Sequence, residues 1–166
     1  MALEIERKFL VAHDGWRPAT RVRHIEQGYL SANGPVSIRV RLQDGSGTLT
    51  VKGERGGLAR DEFEYAIPAD DAAGMLRLAS LPPIVKKRHE LTVAGKLWQI
   101  DVFEGRLTGL VLAEIELADE HEAFHRPDWL GREVTHDLRY RNSALVEGGE
   151  EVLRELFPGR AVPARA

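Results

Sequence analysis

The residues of this chain that could do chemistry recur as like-charged pairs two positions apart. They are Glu4 and Glu6, Arg39 and Arg41, Glu62 and Glu64, Lys86 and Arg88, and Glu114 and Glu116. In an extended strand, residues two apart point to the same face, so each pair sets two equal charges side by side, about 3.3 Å per residue along the chain. Glu4-Ile5-Glu6-Arg7-Lys8 adds an ammonium to its two carboxylates, and Lys52, Arg60 and Asp101 stand on the charged faces of other runs. Like charges in such positions repel, and a folded chain keeps them only with counter-charges nearby. One such strand could simply carry a solvated face, but here the signs are grouped strand after strand. Carboxylate oxygens suit Mg²⁺ or Mn²⁺, while lysine and arginine suit the phosphates that such a metal accompanies. The chemistry this predicts is that of a polyanion held, with divalent metal, between acidic and basic groups.

The elements that must position these groups are short alternating runs. The first spans Met1 to Val11, and Arg21 to Ser31 forms a second. Val36, Ile38, Val40 and Leu42 alternate with Ser37, Arg39 and Arg41, and Leu49 and Val51 alternate with Thr48, Thr50 and Lys52. Arg60, Glu62 and Glu64 oppose Asp61, Phe63 and Tyr65. Further runs follow at Ile84–Val93, Trp98–Phe103 and Leu110–Leu117. Asn33-Gly34-Pro35, Asp44-Gly45 and Ala94-Gly95 are turn signals, and this order reads as an antiparallel meander. Asp70–Ala79 and Asn142–Phe157 read as helices, and Asp119–Phe124 as a short helix stopped by Pro127. Trp129–Gly131 and Val134–Asp137 read as ordered loop. Eight strands with one charged and one apolar face can close into a barrel with the charges inside, or lie as a sheet with a solvated face. The expectation is an α+β, mainly β fold: an eight-stranded antiparallel barrel with charged interior and flanking helices, one domain over residues 1–166.

The bulk properties narrow the function. A length of 166 residues fits one domain with a substantial core. Net charge is −3, from 23 Lys+Arg against 26 Asp+Glu, which gives no electrostatic case for binding nucleic acid or coating a membrane. There are no cysteines, so disulfides, zinc–thiolate sites and thiol nucleophiles are excluded. No apolar run approaches about 18 residues and no basic region precedes an apolar one, from which a cytoplasmic protein is expected. His121-Glu122-Ala123-Phe124-His125 matches the zinc-protease pattern His-Glu-x-x-His. Pro127 cuts its helix short and the segment is too polar to bury a metal, so zinc catalysis is not expected.

The ordered set of motifs resembles the CYTH superfamily, also called triphosphate tunnel metalloenzymes. It comprises Glu4-Ile5-Glu6-Arg7-Lys8, Gln27-Gly28-Tyr29-Leu30, Ile38-Arg39-Val40-Arg41, Leu49-Thr50-Val51-Lys52 and Arg60-Asp61-Glu62-Phe63-Glu64. Lys86-Lys87-Arg88, Trp98 through Gly105, Ala113-Glu114-Ile115-Glu116-Leu117 and Trp129 through Thr135 complete it. The resemblance covers nearly the whole chain and its length is similar to the compact bacterial branch. It implies a tunnel binding a small-molecule triphosphate with Mg²⁺ or Mn²⁺, without nucleic acid or membrane, and is compatible with a homodimer. Glu4, Glu6 and Glu116 would hold the principal metal, with Glu62, Glu64 and Glu114 serving a second metal or its waters. Lys8, Arg39, Arg41, Lys52, Arg60, Lys86 and Arg88 would bind phosphate. The implied catalytic set is Glu4, Glu6, Lys8 and Lys52, with Tyr29 pairing with Lys52 and Asp101 ordering water or a basic neighbour. Lys87 faces the other way and is left out. The implied reaction is hydrolysis of inorganic tripolyphosphate to pyrophosphate and orthophosphate by metal-activated water. The alternatives are a class IV-type adenylate cyclase, a thiamine or nucleoside triphosphatase, and a non-catalytic polyphosphate or nucleotide sensor.

Overall fold

Alternation and turn chemistry set the strands and their register. The computed structural model of the chain describes residues 2–32, 34–54 and 59–161, excluding the side chains of residues 2–4, 54, 59 and 60. The side chains of Glu4 and Arg60, both site candidates, therefore lie outside the described residues. The strands are β1 (Ala2–Val11), β2 (Arg21–Ser31), β3 (Val36–Gln43), β4 (Ser46–Glu54), β5 (Ala59–Ile67), β6 (Ile84–Val93), β7 (Lys96–Phe103), β8 (Val111–Glu116) and β9 (Leu130–Glu133). Helix α1 covers Ala69–Leu78 and α2 covers Asn142–Leu156. Asp44 (φ 49°) and Gly45 (φ 82°) turn β3 into β4, and Ala94 (φ 48°) and Gly95 (φ 79°) turn β6 into β7. Two consecutive positive φ values give the two-residue turn whose twist matches antiparallel strands.

All pairings are antiparallel, in the order β5-β4-β3-β2-β6-β7-β8-β1-β9. One edge of β1 carries β8, with Glu6 opposite Glu116 and Lys8 opposite Glu114. Its other edge is shared. Ala2–Ile5 pair with β5, which returns eight strands on themselves, and Phe9 and Val11 pair with β9. Strand β9 corrects the loop expected at Trp129–Gly131, for Leu130-Gly131-Arg132-Glu133 lacks alternation of its own.

Along β1, β2, β6, β7 and β8 the inward face changes from polar to apolar. The steps are Lys8 to Leu10, Gln27 to Tyr29, Lys86 to Ile84, Asp101 to Phe103 and Glu114 to Leu112. The apolar ends form one core with Leu145, Val146, Val152 and Leu153 of α2. Helix α2 thus floors the barrel, leaving a charged chamber above it. The outward faces bury elsewhere. Phe9, Trp98, Ile100, Ala113 and Ile115 pack with Trp16 and Trp129, while Val40 packs with Ala72 and Leu76 of α1. No helix among the described residues is long and apolar enough to cross a membrane.

The start of α1 lies close against β4. A Cβ at Gly47 would come 2.8 Å from the Ile67 carbonyl, 3.0 Å from the Pro68 carbonyl and 2.9 Å from Ala72 Cβ. Backbone atoms cannot give way as side chains do. Gly47→Ala is expected to cost about 1–3 kcal/mol, read as a lower urea midpoint at unchanged slope.

The helix expected at Asp119–Phe124 is a turn instead. His121 N donates to Asp119 Oδ1 at 2.8 Å and Ala118 N donates to Glu122 Oε2 at 2.7 Å. Glu122 N donates to the Asp119 carbonyl at 3.1 Å, which closes a single turn. Glu122 also pairs with Lys96, and the two histidines share no helical face.

Candidate active site

The chamber is a cavity of about 800 Å³. The strand faces bring Lys8, Arg39, Arg41, Lys52 and Arg88 to its surface together with Glu6, Glu62, Glu64, Glu114, Glu116 and Tyr29.

On the β1–β8 side two cations are tightly held. Lys8 Nζ lies 2.9 Å from Glu114 Oε1 and 3.3 Å from Glu6 Oε1, and donates to the Tyr140 carbonyl at 3.4 Å. Arg88 donates from Nε and Nη2 to both oxygens of Asp101 at 2.7 Å, from Nη2 to Glu114 at 2.6 Å and from Nη1 to Gln99 at 2.7 Å. Burial works against these charges, but the ion pairs outweigh it. Glu114 and Glu6 raise the Lys8 ammonium, and Asp101 and Glu114 raise the Arg88 guanidinium. Burial would likewise raise the Asp101 and Glu114 carboxyls. Arg88 and Lys86 hold Asp101 below its usual range, and Lys8 and Arg88 hold Glu114 well below.

Lys86 and Asp101 lie behind this wall and border no part of the cavity. Lys86 Nζ donates to Asp101 Oδ2 at 2.5 Å and to Asn142 Oδ1 at 3.0 Å. Burial pushes its amine down to about 7 against the pull of Asp101. Lys86, expected to bind phosphate, is thus engaged with Asp101 and Asn142 and is not among the residues that line the cavity. Lys87 faces outward beside Glu104, at 3.0 Å.

The β3–β5 side is built differently. Arg39 Nη2 donates to Thr50 Oγ1 at 2.9 Å and lies 3.6 Å from Glu64, while its buried Nε has no hydrogen-bond acceptor among the described residues. Arg41 donates from Nε and Nη2 to Gln27 Oε1, at 3.2 and 3.0 Å. Burial, with Arg39 and Arg88 nearby, pushes Arg41 down to about 9. A half-buried cation crowded by like charges, whose acceptor among the described residues is a neutral amide, is stabilised by an anion entering beside it. Lys52 faces Glu62 at 3.5 Å, and Tyr29 takes its hydrogen bond from Gln27, so the expected Tyr29–Lys52 pair gives way to these partners.

Glu6 and Glu116 stand opposite one another on β1 and β8 and both border the cavity. Directly opposed like charges are relieved by a cation, and their hard oxygens suit Mg²⁺ or Mn²⁺. Among the described residues no group of three potential ligands forms a ready-made cage. Thr135, Asp137, Arg141, Asn142 and Ser143 also border the cavity, and the sequence reading did not include them. They sit in the connection leading into α2 and at the start of that helix, where no alternation signals a facing direction.

A barrel that encloses opposed acidic and basic groups defines a class, proteins that hold a polyanion inside a β-sheet. The chain belongs to the CYTH domain family, which it matches over residues 2–147. It is similar to an inorganic triphosphatase of Acetivibrio thermocellus, 42% identical over 156 residues, covering 93% of this chain and all of that one. An inorganic triphosphatase of Nitrosomonas europaea is 39% identical over 149 residues, covering 86% of this chain and 96% of the relative. A crystal structure of an inorganic triphosphatase superposes with a TM-score of 0.66 at 34% identity, covering 88% of this chain and 95% of the other. Triphosphatases of this family are metal-dependent.

Proposed function

We propose that this protein hydrolyses inorganic tripolyphosphate to pyrophosphate and orthophosphate, with Mg²⁺ or Mn²⁺ bound. The observation that carries the reading is Arg41, half-buried close to Arg39 and Arg88 with a neutral amide as acceptor, in a chamber whose other wall carries opposed carboxylates. Such a site has a deficit of negative charge on one side and a deficit of positive charge on the other. A polyphosphate with its divalent metal fills both.

In this reading Arg39, Arg41 and Lys52 grip the phosphate oxygens. Lys8 and Arg88 face the same chamber, held by Glu114 and Asp101, so they need not reorganise as charge shifts during phosphoryl transfer. Asp101 and Lys86 keep that wall in place from behind. Glu6 and Glu116 would hold the metal, joined by Glu4 from the same strand, with Glu62 and Glu64 available across the chamber. When bound, the metal supplies charge neutralisation at the phosphoryl oxygens and acidifies water. The inorganic substrate is favoured because Trp98 and Phe103 are buried in the cores, and the aromatic residues that do border the cavity, Tyr29 and Tyr140, are packed into the core at its floor.

The deciding assay compares orthophosphate release from tripolyphosphate, ATP and thiamine triphosphate with Mg²⁺ or Mn²⁺. Fastest release from tripolyphosphate is expected. Cyclic AMP and pyrophosphate appearing from ATP would make the protein a cyclase. Tight triphosphate binding without any release would make it a sensor.

A further inference from the structure

Gln27 is fully buried on β2, where the charged chamber meets its apolar floor. Its Oε1 accepts both hydrogen bonds from Arg41, and its Nε2 donates to the Tyr29 hydroxyl at 3.3 Å. A guanidinium has donors only, so the amide must turn its oxygen to Arg41 and its nitrogen to Tyr29. The phenol oxygen is thereby committed as an acceptor, and its own hydrogen must point elsewhere. No acceptor among the described residues takes that hydrogen, and Tyr29 borders the cavity. Burial raises the phenol above its usual range, against the pull of Arg39 and Arg41, so it remains protonated at neutral pH. A protonated hydroxyl in this position is a donor.

We propose that Gln27 is a positioning residue of the triphosphate site: through its two ends it fixes the Arg41 guanidinium and turns the Tyr29 O–H into the chamber as a hydrogen-bond donor to a phosphate oxygen. This deepens the triphosphate reading and rests on it. No other neutral side chain of this length serves both ends. A carboxylate would accept from both neighbours and draw the Tyr29 hydrogen to itself, while methionine or leucine would hold neither. The role also separates Tyr29 from Lys52, which is engaged with Glu62 on β5.

The test is a double-mutant cycle on the Kd of a methylene-bridged tripolyphosphate analogue, measured by calorimetry with Mg²⁺. Tyr29→Phe is expected to weaken binding at least about tenfold, the range for a hydrogen bond to a charged group. Gln27→Glu is expected to weaken it at least as much in the wild-type background. In the Tyr29→Phe background the same change costs at least about fivefold less, because the added charge acts in both backgrounds and only the hydroxyl's direction differs. Equal costs in the two backgrounds overturn the proposal. A second measurement needs no ligand: the titration of Tyr29 labelled at ¹³Cζ. With its donor replaced by a carboxylate in Gln27→Glu, Tyr29 should titrate about one pH unit higher or more. An unmoved titration also overturns the proposal. If the wild-type protein fails to bind the analogue but the titration moves as expected, the triphosphate reading falls and the orientation set by Gln27 stands.

Discussion

Substituting glutamine for both Glu6 and Glu116 is expected to lower kcat for tripolyphosphate by at least about 10³-fold, with the fold intact. A divalent ion facing a phosphoryl oxygen supplies several kcal/mol of transition-state stabilisation, and each 1.4 kcal/mol is about tenfold. The two carboxylates face each other across β1 and β8, so their removal takes away the charge that would hold the ion. It also removes a repulsive pair. Glu116 is exposed, and Glu6 reaches Lys8 at 3.3 Å, whereas the closer Lys8 contact is with Glu114 at 2.9 Å. The melting temperature should therefore stay within a few degrees of wild type. Calorimetry separates this from a general loss of binding: Mg²⁺ uptake in the presence of the methylene-bridged analogue should disappear. Turnover within tenfold of wild type in the double variant would place the metal elsewhere, with Glu62 and Glu64 of β5 and Glu114 of β8 among the described carboxylates that remain at the cavity.

Much of this chamber is legible in the residues themselves because a strand has a period of two. Arg39 and Arg41, Glu62 and Glu64, and Glu114 and Glu116 sit on one face of their runs, and the structure brings all six to the cavity. The same period hides the floor. Leu10, Leu112, Phe103 and Ile84 share the parity of Lys8, Glu114, Asp101 and Lys86, and nothing in alternation says where along a strand the chamber stops and helix packing begins. For the same reason Lys86 and Arg88 read alike, although only Arg88 reaches the cavity. The partner that distinguishes Lys86, Asn142, lies 56 residues further along the chain. Strand β9 is hidden for another reason. Its Gly131 lies so close to β1 that a Cβ would come 3.0 Å from the Leu10 carbonyl, so the segment is defined by its neighbour. At Asp119–Phe124 a helical composition yields only one turn, closed by Glu122 N on the Asp119 carbonyl.

Arg88 is where the site and the stability of the fold meet. Arg88→Met is expected to destabilise the protein by about 3–5 kcal/mol at neutral pH, because it removes one partner from a buried ionic network. Asp101 would lose the guanidinium that contacts both its oxygens and keep only Lys86. Glu114 would keep only Lys8. At this chain length such a loss lowers the melting temperature by roughly 6–20 °C. The pH dependence carries a definite sign. The folded Asp101 carboxyl lies below its ordinary value of 3.8, burial opposing and Arg88 with Lys86 prevailing. Its contribution is therefore fully present above about pH 4 and is lost as pH falls through the lower folded value. Arg88 is the first of the charges that hold it down, so the gap between wild type and Arg88→Met should be widest near pH 7 and narrow below about pH 4. Urea midpoints measured from pH 7 to pH 3 test this. Equal midpoints at pH 7 would mean that water or a neighbouring cation replaces the guanidinium. A gap undiminished at pH 3 would assign the loss to packing of the arginine stem instead of its charge.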